Sequence, residues 1–157
     1  MKNNCLYFWL VLLIVPLTGC DSEESGVSFD PFSDSVYEFS IGTDTLCSSS
    51  HSRVGSSASF SSLAHGVSGT VTVIDDCTLE FTNFSYVGGG PVVYFYSGTN
   101  GLYTGANARQ ISALLTGTSF SNDTLRIVLP DNASLDDFDG ISVWCVDFDV
   151  SFGEARF

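Results

Sequence analysis

The sequence is poor in the residues that metal and nucleic-acid chemistry require. Met1 and Lys2 are its one methionine and one lysine, and His51 and His65 are its two histidines. With no methionine past residue 1, no thioether is at hand as an axial ligand to haem or copper. No CxxCH marks covalent haem attachment, and no histidine follows Cys145, so the ligand loop of a blue-copper site is missing. GxSxG, HExxH and P-loop patterns are absent too, which removes the usual marks of serine hydrolases, zinc peptidases and NTPases. "GGGP" at 88–91 leads into strand-like sequence, so it reads as a turn and not as a phosphate cradle. Basic charge is equally scarce: five Lys and Arg stand against eighteen Asp and Glu, a formal charge of −13. Nucleic acid is excluded as a partner, because its backbone needs a basic surface, and docking onto anionic lipid is disfavoured for the same reason.

What is present starts at the N-terminus. Lys2 precedes the apolar run "CLYFWLVLLIVPL", which is too short for a membrane span and suits an export signal. It ends in Leu17-Thr18-Gly19-Cys20, which resembles the lipobox of bacterial lipoproteins. The resemblance implies that residues 1–19 are a signal peptide and that Cys20 carries a thioether-linked diacylglycerol and an N-acyl chain of the palmitate kind. Such chains, at about 0.8 kcal/mol per buried CH₂, hold a protein to a bilayer. The expected address is therefore the bacterial cell envelope, lipid-anchored on the extracytoplasmic, periplasmic side. Cleavage leaves 138 residues with four arginines against eighteen acids, a formal charge of −14. That length suits one domain with a core of its own.

Residues 20–63 read as lipidated tether and Ser-rich linker, with one strand at "SVYEFSI" (35–41). From residue 64 to 157 the texture is β. In "CTLEFTNFSY", Cys77, Leu79 and Phe81 alternate with polar residues after an Asp75-Asp76 turn. "VSGTVTVID", "PVVYFYSG", "RQISALLTG" and "DTLRIVLP" read as further strands. "SLDDFDG" reads as a short helical turn with Ser134 as N-cap and Asp137 three residues on. An EF-hand loop there would need acids at 135 and 146, where Leu135 and Val146 stand. Many short strands between Gly-rich turns predict an all-β fold, an antiparallel sandwich or barrel-like single domain.

"GTVTVIDDCTLEFTNFSYVGGGPVVYFYSG" followed by "LP" and "ISVWCVDFDVSFG" resembles the DM-thirteen domain, an electron-transfer domain family. The strongest parts are the Asn83-Phe84…Tyr86…Gly88…Gly90-Pro91 block and the Ser142–Cys145 strand with its trailing Phe152-Gly153. The resemblance implies a small β-rich extracytoplasmic module whose characteristic cysteine is Cys145, as a redox thiol or as the ligand of a prosthetic group. It differs at Val87, where the family usually has Asp. A ligand function resting on that acid would not carry over.

The pleat places Trp144, Val146, Phe148, Val150 and Phe152 on one apolar face, expected in the core and supporting the Cys145 strand. Ile141, Val143, Cys145, Asp147 and Asp149 fall on the other, so Cys145 is expected at the border with solvent. Neighbouring acids disfavour a thiolate, and no suitably spaced His or Asn supports cysteine-hydrolase chemistry, so catalysis is not expected. Past Cys20, the remaining cysteines are Cys47, Cys77 and Cys145. Cys77 and Cys145 stand in the strands that carry the resemblance, which favours a Cys77–Cys145 disulfide with Cys47 left as a free thiol. An unpaired Cys145, or Cys145 ligating haem or a metal, remain the alternatives. No metal site and no cofactor are predicted, haem through Cys145 being the exception kept open. Two functions compete: a membrane-tethered redox module acting through Cys145 towards a protein partner, and a non-catalytic binding or structural β-domain stapled by its disulfide.

Overall fold

The computed structural model describes residues 36–42 and 46–157. Residues 1–35, on which the expected signal peptide, the Cys20 lipidation site and the expected tether fall, lie outside the described residues. Ten strands make two five-stranded sheets. They are β1 (Val36–Glu38), β2 (Ser57–Ser59), β3 (Ser61–Ser62), β4 (Ser68–Val73), β5 (Thr78–Tyr86), β6 (Val93–Gly98), β7 (Arg109–Gln110), β8 (Phe120–Val128), β9 (Gly140–Cys145) and β10 (Val150–Arg156). One sheet runs β1-β8-β5-β4-β2 and the other β3-β10-β9-β6-β7. Pairing is antiparallel except for β1, which runs parallel to β8. The all-β sandwich expected from the alternation is what forms. Among the described residues the helical content is one 3₁₀ turn, Leu135–Asp137. Its Ser134–Asp137 capping box forms as the sequence implied. No helix among them is long and apolar enough to cross a membrane.

The core is aromatic where the sheets face each other. Phe81 and Phe84 of β5 meet Phe95 of β6 at ring separations of 4.5 and 5.2 Å, and Phe60 and Phe120 close around them. Both Phe81 and Phe84 can point inward because β5 bulges between them. Asn83 takes the left-handed conformation there, φ 51°, which Asn tolerates better than most residues.

The Ser-rich stretch expected as linker belongs to the packed unit. Ser57, Ser59, Ser61 and Ser62 are on edge strands β2 and β3, while Ala58 and Phe60 are buried. The chain passes from one sheet to the other at Phe60, so packing begins before residue 64. Of "RQISALLTG", only Arg109–Gln110 is strand; Ile111 and Leu115 are buried in irregular chain.

Strand β9 corrects the reading of its two faces. Ile141, Val143 and Cys145 are fully buried, Trp144 is half-buried on the outside of its sheet against Tyr103, and Val146, Phe148 and Val150 are exposed. The strand stops at Cys145, and residues 146–149 form the hairpin turn to β10, with Asp149 at φ 55°. Asp147 and Asp149 therefore belong to the turn and say nothing about which face of β9 is wet. A bulge between Ser151 and Gly153 resets the phase and returns Phe152 to the core.

Candidate functional site

The two poles of the sandwich are chemically different. Cys77 precedes the first residue of β5 and Tyr86 is its last, nine strand residues later, a span of roughly 30 Å. Cys145 lies at the Tyr86 end. A Cys77–Cys145 bond would have to join opposite poles, so the expected pairing is not formed. The disulfide is Cys47–Cys77, with Cα atoms 5.6 Å apart, and Cys145 is free and buried. Cys47, expected as the free thiol, is the partner of Cys77 instead.

At the disulfide pole the Asp75 carboxylate accepts the Cys77 N–H at 3.0 Å, and the Asp76 carboxylate accepts the Ser48 N–H at 2.7 Å. The Asp76 N–H returns a bond to the Ser48 carbonyl, 2.9 Å. Cys47, Asp75, Asp76 and Cys77 thus lie together in a group that could suit a cation. With the sulfurs bonded to each other and both carboxylates accepting backbone amides, the arrangement acts as a staple. Arg53 fastens the same segment. Its guanidinium donates to the carbonyls of Leu135 and Phe138 and lies over the rings of Phe138 and Phe157 at 5.3 and 4.9 Å. Burial lowers its pKa, opposed by Asp139 and Asp136. Beside the disulfide is a cleft of about 480 Å³ lined by Leu46, His51, Cys77, Leu129, Pro130 and Leu135.

The Cys145 pole is built from the "NFSYVGGGP" block and the β9–β10 hairpin. Cys145 pairs with Val93 on one side and Val150 on the other, with its side chain in the core. Tyr86, also buried, donates its hydroxyl to the Gly89 carbonyl. Its pKa is pushed up to about 12, first by burial and then by the nearby Cys145. The phenol therefore stays protonated beside the thiol at any physiological pH. His65, at φ 54°, lays its ring 4.1 Å from that of Phe152 and 6.5 Å from Tyr86. The glycines of "GGGP" are needed for this closeness. A Cβ on Gly89 would sit 2.6 Å from His65 Nδ1, and one on Gly90, already at φ +95°, would sit 2.8 Å from both Phe152 and Val93. Tyr86 and His65 escape a reading by composition; the signal for Tyr86 was its place in the aromatic-glycine block.

Trp144 does not shield Cys145 from the core side, and Phe148 stands at the turn tip, 67% exposed. A two-sheet β module with one reduced, buried thiol and a separate disulfide is the class the geometry defines. The chain matches the family model described as electron transfer DM13 over residues 59–157, and it belongs to that family. It is similar to Protein Skeletor, isoforms B/C, of Drosophila melanogaster, at 34% identity over 98 residues, 59% of this chain and 12% of that protein. It is also similar to a cytochrome b561, DM13 and DOMON domain-containing protein of Arabidopsis thaliana, at 28% identity over 110 residues, 69% of this chain and 12% of that protein. The chain thus spans about an eighth of the length of these relatives. No solved structure matches.

Proposed function

We propose that this chain is a lipid-anchored, extracytoplasmic DM13 module with a redox role carried by Cys145. The observation that carries the reading is the division of the cysteines: Cys47 and Cys77 bond to each other, which leaves Cys145 as a reduced thiol at the far pole beside the Tyr86 phenol. Membership of an electron-transfer family and likeness to a protein named for a cytochrome b561 domain support it. Lipidation of Cys20, release from residues 1–19 and a place on the periplasmic side rest on the "LTGC" sequence. A haem ligated by Cys145 is not part of the proposal, because the thiol is wholly enclosed by core side chains. The same enclosure favours a second reading, a non-catalytic binding or structural domain stapled by Cys47–Cys77.

Protein-film voltammetry of the full chain purified from its native envelope separates the two. The redox reading predicts a one-electron wave in which the Cys145 thiol gives its electron to the electrode and its proton to the buffer, both returned on the reverse sweep; Cys145→Ser should abolish it and a Cys47→Ser, Cys77→Ser double variant should retain it. A chain without a Cys145-dependent signal rejects it and leaves the structural reading.

A further inference from the structure

The described arginines are all away from the Cys145 pole. Arg53 bonds around the 3₁₀ turn, Arg126 pairs with Glu80, Arg156 is near Asp139, and Arg109 pairs across from Ser97. The formal charges about the β9–β10 turn are those of Asp147 and Asp149, with Asp123 of β8 near the same end. Apolar side chains stand in water at that pole, as Leu46 and Leu102 do at the other. Val146, Phe148 and Val150 are 41, 67 and 43% exposed on the turn, and Leu63 and Val87 are 62 and 64% exposed beside it. Their placement together follows from the backbone: Leu63 N–H donates to the Phe152 carbonyl, Val87 N–H to the His65 carbonyl, and Val146 N–H to the Val92 carbonyl. Five large apolar side chains grouped on one end mark an interaction surface rather than scattered exposure.

We propose that this pole docks a protein whose contact surface has an apolar centre and a cationic rim. An aromatic anchor inside a charged border is the usual anatomy of a recognition patch, and Phe148 is that anchor here. Charge selects the occupant. The carboxylates of Asp147 and Asp149 attract Lys and Arg and repel an anionic bilayer. Residues 21–35 of this chain carry five acids and no base, and a second copy brings its own −13, so neither is matched to the rim. The surface adjoins Cys145 directly, so it supplies the partner face for the redox reading. It rests on that reading for its purpose and not for the contact itself.

The test uses the full chain in phosphatidylcholine nanodiscs and cytochrome c as the probe, a protein whose apolar haem edge is ringed by lysines. Binding is expected to weaken at least about tenfold in Phe148→Ser, as for an interface anchor. It should also weaken in the Asp147→Asn, Asp149→Asn double variant and on raising salt to about 0.2 M, where exposed charges are screened. Leu102→Ser, an exposed apolar residue of the other pole, should bind as wild type. Cytochrome c with its lysines succinylated should not bind. Cys145→Ser should bind normally, so loss of its voltammetric signal with binding intact reports on the redox reading separately from the docking. Equal binding by Phe148→Ser or by the succinylated probe would overturn the proposal. So would chain-to-chain pairing, or capture by phosphatidylcholine vesicles, that disappears in Phe148→Ser.

Discussion

Replacing Cys47 and Cys77 together by Ala removes the cross-link and leaves the rest of the staple in place. The two residues are 30 apart in sequence. In the loop-entropy model, closing such a loop constrains the unfolded chain by about 3.6 kcal/mol. The described part of the packed unit reaches from Val36 to Phe157. At about 2.1 cal/mol/K of unfolding entropy per residue, a unit of this size has about 0.26 kcal/mol/K, so the loss corresponds to a fall in Tm of about 14 °C. Differential scanning calorimetry of the two proteins is the assay, and wild type in reductant should move towards the variant. Cys145→Ala should not reproduce the effect of reductant, because its cost is a small core cavity in either redox state. A double variant that melts within about 2 °C of wild type, reductant having no effect on either, would refute the assignment of Cys47–Cys77 as the staple.

Two further outcomes follow from the packing and one from the sequence. Gly90→Ala should destabilise by about 2 kcal/mol or more in urea unfolding, because φ +95° disfavours any Cβ and Phe152 and Val93 leave no room for one. Stability should fall as pH rises from about 10 towards 12. Tyr86 has its folded pKa raised above the unfolded value, so its contribution is complete below about pH 10 and is lost as pH passes through the folded pKa; alkaline unfolding followed in Tyr86→Phe should show a shallower loss over that window. Cys20→Ser should move the chain from the membrane to the soluble envelope fraction, and a variant that stayed membrane-bound would refute lipidation at "LTGC".

Regular strands were legible because their alternation is intact. In β5, Leu79 and Phe81 point inward as the alternation implied, whereas the bulge at Asn83, φ 51°, that then turns Phe84 and Tyr86 inward was not read. The Ser134 capping box was legible since it depends on residues three apart. The Cys145 strand was not. Extending the pleat from Ile141 to Gly153 assumes one continuous strand, while the chain turns at 146–149 and bulges at 151–153. Each interruption shifts the phase, and together they inverted the inside and outside of the site. Cys47 was misjudged for a different reason. Serine-rich composition suggested a flexible linker, but Arg53, gripping Leu135, Phe138 and Phe157 from long sequence distance, fixes that segment against the core. Contacts of that range leave no local periodicity to read.

The measurement that bears most directly on the account is differential thiol mapping of the chain taken from its native envelope without reductant. Peptides should show Cys47 linked to Cys77. Cys145 should be a free thiol, protected from alkylation in the folded chain and modified once denaturant opens the core. A Cys77–Cys145 link, or a Cys145 already capped before denaturation, would contradict the assignment of Cys145 as the module's reduced thiol.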